Sequence, residues 1–306
     1  MKYSFLFLLC AGWASATTYY VNLGGLGGQE DYESRFKANV EELNKLTGSS
    51  PGSKVLSASG AAATKAKVRE LFGELARSAK AEDTVVVTLI GHGTHDGEMY
   101  KFNLAGPDVT AREIAQWLAP VAAKKQVVVN TTSCSGGSLQ ELKKDGRTVI
   151  TATKSGTERL ATVFSRYWIE ALRDPQADAD KNEVVTALEA YRYAEAKVAK
   201  YFESTKRLAT EHPLLVDTGE GEGVRVPDAG KGQAQTALRT TILAFGTLQN
   251  AAKTPEKQQL LTQREAIEQQ IDSLKLRKAA MASDQYRIEL RNLLLQLARI
   301  QQELDK

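Results

Sequence analysis

Cysteine and histidine are scarce in this chain. Its 306 residues include two cysteines and three histidines, so a multi-disulfide framework is excluded and each of these few residues carries weight. After the N-terminal segment there is no run of the ~18 apolar residues a membrane-spanning helix needs. The net charge is +3 without a long basic run, which gives no support to nucleic-acid binding. At 42% hydrophobic and 25% charged residues, the composition is that of an ordinary globular protein.

The N-terminus, "MKYSFLFLLCAGWASATT", has the organisation of a secretory signal peptide over residues 1–16. Lys2 supplies a positive start, residues 3–13 form a short apolar core, and Ala14-Ser15-Ala16 is a small-x-small cleavage site. Cys10 does not fit lipoprotein processing, because Leu9 stands where a small residue is needed. Cleavage would leave Cys134 as the only cysteine, in a secreted or periplasmic protein with no internal disulfide. A lone thiol in an oxidising compartment is a liability unless it is buried and inert or is itself the reagent.

From residue 18 to about 216, strand and helix patterns alternate. Continuous Val/Ile runs such as "DTVVVTLIGHG" and "KQVVVNTT" lie between amphipathic stretches such as "YESRFKANVEELNKL", "TKAKVRELFGELARSA" and "TERLATVFSRYWIEALR". Thr110 and Glu113 form a capping box before "AREIAQWLAPV". This pattern predicts a doubly wound α/β domain, a mostly parallel sheet with helices on both faces, over residues 17–228. "DTGEGEGVRVPDAGKGQ", residues 217–233, reads as a linker or surface loop. Over 229–306, Leu260, Ile267, Ile271, Leu274 and Met281 form one seam. Tyr286, Leu290, Leu293, Leu297, Ile300 and Leu304 form another. Two helices in an antiparallel hairpin or coiled coil follow. Packing on the main domain and a surface for a protein partner or self-association are both open for them.

In parallel sheets the chemistry lies beyond the carboxyl ends of the strands. His92, between Gly91 and Gly93, ends one buried strand, and Cys134, in "NTTSCSGGS", ends the next. An imidazole beside a thiol can take its proton and deliver it to a leaving amine. The amides around Gly93 and Cys134 are expected to be free to hold an oxyanion. His95 competes with His92 as the base, but it lies further into the loop.

A strand ending in His-Gly, followed by one ending in Cys before Ser-Gly, resembles the caspase/legumain-like cysteine peptidases. Cys134 follows His92 by 42 residues, close to the separation in the legumain family, and "SCSGGS" is similar to that family's Cys-x-Ser-Gly-Ser element. The resemblance covers residues 18–216 and suggests a secreted, bacterial-type member. It implies a His92/Cys134 dyad, an oxyanion hole from the Gly93 and Cys134 amides, and an endopeptidase cutting after Asp or Asn without a required cofactor. It also implies that Arg35, in "SRFKAN", lines the primary specificity pocket, where a guanidinium suits a carboxylate or amide oxygen. Legumains carry an acid two residues before the cysteine; Thr132 stands there here, which favours Asp over Asn. Lys154 and Ser155 in "TATKSGTE" are expected to border the pocket.

Two other motifs bear on ligands. "GGLGG", residues 24–28, lacks the third glycine of a dinucleotide fingerprint; Glu30 and Asp31 follow instead and would repel a pyrophosphate. "DADKNEVVTALE" places Asp178, Asp180, Asn182, Thr186 and Glu189 at ligand positions of a twelve-residue calcium loop, with Glu183 where glycine is wanted. A structural calcium and a capped acidic helix start are the two readings.

The expected function is thus an exported cysteine endopeptidase acting on a peptide or protein substrate. The alternatives are a catalytically silent scaffold that binds a partner through the C-terminal helices, and a thiol hydrolase of a non-peptide substrate.

Overall fold

The structure is a computed structural model, and it describes residues 16–246, 248 and 254–305. The expected signal peptide, Cys10 included, therefore lies almost wholly outside the described residues.

Six strands form the central sheet. They are β1 (Thr18–Gly24), β2 (Ser53–Ser59), β3 (Thr84–Ile90), β7 (Lys125–Asn130), β8 (Arg147–Thr151) and β10 (Leu214–Val216), in the order β10-β8-β7-β3-β1-β2. All neighbours pair parallel except β10, which is antiparallel to β8. The Val/Ile runs are buried on both faces, with Val85, Val87, Val127, Val128, Val149 and Ile150 wholly inaccessible, as strands sandwiched between helices require.

One face is covered by α1 (Glu30–Gly48), α5 (Phe164–Ala171) and α6 (Ala187–Ser204), and the other by α2 (Lys65–Ser78), α3 (Ala111–Leu118) and α4 (Leu139–Leu142). The Thr110–Glu113 capping box forms as the sequence predicts, and a second one joins Thr186 and Glu189 at the start of α6. The doubly wound α/β fold is therefore present.

Three elements differ from the expected ones. The helix expected over 157–173 begins only at Phe164. The Val163 amide just before it is taken by the Glu211 carboxylate at 3.0 Å. Residues 93–110 form a small antiparallel sheet of β4 (Gly93–His95), β5 (Tyr100–Phe102) and β6 (Val109–Thr110). The packed body also runs past residue 228. Buried Asp217 accepts the amides of Ala234, Thr236 and Ala237, fixing the start of α7 (Gln235–Leu238). Strand β11 (Thr241–Ala244) then pairs with β9 (Val184–Thr186).

The last helices, α8 (Pro255–Arg277) and α9 (Ser283–Leu304), pack on each other. Ile267, Ile271, Leu274 and Leu304 are buried at the expected seams. The pair is also docked on the main body. Lys125 bonds Glu265 at 2.8 Å, Arg239 reaches Ser273 Oγ at 3.1 Å, and Arg264 donates to the Asn182 carbonyl at 2.6 Å. Ile288, Leu294 and Leu295 of α9 remain exposed. No described helix is long and apolar enough to cross a membrane.

Candidate active site

Strands β3 and β7 are neighbours in the sheet, so the loops that follow them meet above its edge. Gly93 and Ser133 join those loops: the Gly93 amide donates to Ser133 Oγ at 3.2 Å, and that hydroxyl donates to the Gly93 carbonyl at 3.0 Å. The approach is close enough to exclude a side chain, since a Cβ on Gly93 would come 2.4 Å from the Ser133 carbonyl oxygen. Cys134 itself has φ 57°, a left-handed conformation uncommon for a non-glycine residue and frequent where structure holds strain at a working site.

His92 is half-buried at the α1 side of the site. Its ring packs edge-on against Tyr32 and Phe36, at centroid distances of 4.7 and 5.0 Å. Burial lowers its pKa; a hydrogen bond to the Gly27 backbone raises it, and the Arg35 charge lowers it further. The ring is thus held neutral near pH 7, as a proton acceptor must be. Gly27 is itself fixed, its amide donating to Glu33 Oε2 at 2.6 Å. A ring nitrogen bonded to a backbone carbonyl sets the tautomer and leaves the other nitrogen for chemistry.

His95 is the histidine that reaches the Cys134 loop. A Cβ on Gly137 would meet His95 Cδ2 at 2.5 Å, and one on Gly156 would meet its Cγ at 2.4 Å. The Cys134 thiol is pushed up by burial. The Arg159 charge and a hydrogen bond from the His95 backbone amide pull it down, without cancelling the burial.

Cys134 is only 2% exposed, and residues 152–163 bond to the backbone of its loop. Gly136 donates to Thr153 Oγ1 at 2.9 Å, and the Cys134 amide donates to the Glu158 carbonyl at 2.8 Å. Glu158 is held in turn through its carboxylate, which accepts from the Lys154 amide at 2.9 Å and contacts His212 Nδ1 at 2.5 Å. The expectation of two free amides is therefore not met in this arrangement: the Gly93 and Cys134 N–H groups both have partners. Lys154 and Ser155 lie against Gly136, two residues after Cys134.

Arg35 is exposed on α1, with its guanidinium over the Tyr32 and Phe36 rings at 4.8 and 5.3 Å. Its charge acts on His92 and on Glu211, so it belongs to the same strand-end region. Buried Glu211 is pushed up to about 8 by desolvation. Sequence reading missed Tyr32, Ser133, Glu158, Arg159 and Glu211. Ser133, Glu158, Arg159 and Glu211 lie between regular elements and Tyr32 lies in the first turn of α1, where neither periodicity nor motif spacing singles them out.

Away from this edge, carboxylate oxygens of Asp178, Asp180 and Glu189 lie within 4.8 Å of one another. Burial raises the pKa of Asp180 and Glu189; the Asp178 charge adds to the first effect and the Asp180 charge to the second. Glu183 makes the sharp turn with φ 63° despite not being glycine. Asn182 Oδ1 accepts the Val184 amide at 2.9 Å, and Lys181 Nζ bonds the Asp178 carbonyl at 2.8 Å. Crowded, partly desolvated oxygen donors of this kind suit a hard cation.

No family model and no curated protein matches the sequence. Among solved structures, the chain is similar to the Drosophila initiator caspase Dronc at 12% identity, with 69% of this chain and 82% of that one covered and a TM-score of 0.47. It is also similar to protein GSU0716 from Geobacter sulfurreducens at 10% identity, covering 68% of this chain and 95% of that one, again with a TM-score of 0.47.

Proposed function

We propose that the chain is an exported cysteine endopeptidase of the caspase/legumain-like type. The observation that carries this reading is the placement of Cys134. It is an unpaired thiol in a left-handed backbone conformation at the end of β7, and the neighbouring strand β3 runs into His92.

In this reading neutral His92 removes the thiol proton, and the thiolate attacks the peptide carbonyl. The imidazolium then protonates the leaving amine, and water hydrolyses the thioester. The Gly93 and Cys134 amides serve the oxyanion once Ser133 and Glu158 release them. Arg35 takes the side chain of Asp, or less well Asn, before the cut bond. A peptide carrying an acyloxymethyl ketone tests the dyad: it should label Cys134 in the wild type and fail in His92→Ala. Labelling unchanged in His92→Ala but lost in His95→Ala would transfer the base role to His95.

The covered thiol favours one other reading, a scaffold whose site stays closed and which binds a partner through the exposed residues of α9. The same probe separates the two, because a permanently closed site takes no label.

A further inference from the structure

Thr17 stands directly before β1, and its backbone is hydrogen-bonded through both its amide and its carbonyl. Its carbonyl accepts the Thr84 amide at 3.0 Å, and the next amide, of Thr18, donates to the Gly52 carbonyl at 3.3 Å. The Thr17 amide donates to Asp83 Oδ1 at 2.7 Å, and the Lys80 amide donates to Asp83 Oδ2 at 2.7 Å. Asp83 is 3% exposed. Among the described residues, no lysine, arginine or histidine pairs with it. A carboxylate this buried is costly without a cation. Thr17 is also the residue that follows Ala14-Ser15-Ala16, and Ala16 is exposed.

We infer that Asp83 is the receptor for a new N-terminus, the α-ammonium of Thr17. An endopeptidase specific for small residues hydrolyses the Ala16–Thr17 bond. Water adds across it: Ala16 leaves with a carboxylate, and the Thr17 nitrogen gains protons. An α-amine titrates near about 8, so at neutral pH that nitrogen is mostly charged. It does not have to move, because 2.7 Å is already the distance of a charge-assisted hydrogen bond. Leader removal thereby supplies the cation that Asp83 lacks and locks the first strand of the sheet. The inference stands on Thr17 and Asp83 at the opposite edge of the sheet from Cys134, so it succeeds or fails independently of the peptidase reading.

The intact mass of the protein recovered after export gives the first half of the test, and it should correspond to a chain starting at Thr17. Thermal unfolding gives the second half, comparing that chain with its Nα-acetyl-Thr17 form. Acetylation keeps an N–H for Asp83 and removes only the charge. The acetylated form should melt lower by about 3 °C or more, and the difference should vanish in Asp83→Asn. A start at another residue, or equal melting of the free and acetylated chains, overturns the inference. The acetylation comparison needs no substitution, so it decides even if Asp83→Asn does not fold.

Discussion

The Cys134 amide donates a hydrogen bond to the carbonyl oxygen of Glu158 at 2.8 Å. That contact ties residues 152–163 to the backbone of Cys134, whose side chain is buried, so lifting this loop is expected to raise reactivity at the thiol. The Glu158 carboxylate anchors the loop to the His212 amide and ring, and braces it internally through the Lys154 amide. Each bond contributes about 1 kcal/mol, so losing them should raise the open population by about 10-fold or more. Glu158→Ala should therefore speed alkylation of Cys134 by iodoacetamide by about that factor. An unchanged rate would mean that the side chain does not hold the loop.

Gly136 packs tightly against the same loop. A Cβ there would lie 2.2 Å from the Ser155 nitrogen and 2.3 Å from the Lys154 carbonyl carbon. Both are backbone atoms and cannot rotate away, and overpacking of this kind costs about 1–3 kcal/mol. Gly136→Ala should lower the melting temperature by about 2 °C or more. A wild-type melting curve would contradict the packing described at this point.

Glu211 makes stability depend on pH. Its folded pKa is about 8 against an ordinary 4.5, so between those values the unfolded chain gives up a proton that the folded chain keeps. The wild type should lose stability as pH rises from about 4.5 to about 8, on the order of a few kcal/mol at most. Glu211→Gln cannot ionise and can accept the same Val163 amide. Its melting temperature relative to wild type should climb from pH 5 to pH 8. A constant difference would show that Glu211 is ionised in the fold.

A cation among Asp178, Asp180 and Glu189 would relieve three carboxylates held within 4.8 Å of one another. Calcium should raise the melting temperature and a chelator should reverse the rise. Asp180→Asn should abolish the response. If melting is indifferent to calcium in the wild type, the loop serves only as the capped start of α6.

Strands buried on both faces were legible because Val and Ile runs have few other uses, and both strand-end residues, His92 and Cys134, followed from them. The Thr110–Glu113 cap and the two C-terminal seams were legible because local chemistry sets them. What escaped was set by distant partners. The helix expected from Thr157 starts at Phe164 because Glu158 and Val163 are engaged by Cys134 and Glu211. The apparent linker after residue 216 is packed because Asp217 caps α7 and Val224 exchanges backbone bonds with Leu215. Strands β4 to β6 span two or three residues each, too short to show a period. The occupied amides of Gly93 and Cys134 depend on side-chain and loop contacts that no spacing reveals.

The most direct test is cleavage of a fluorogenic peptide library by the purified chain beginning at Thr17, beside Cys134→Ala and His92→Ala. The wild type should cleave after Asp, with Asn second, and both variants should lose at least about 100-fold of that activity. Arg35→Ala should weaken the acidic preference. A wild type as silent as its variants, even after Glu158→Ala has opened the loop, would contradict the peptidase reading and leave a binding scaffold in its place.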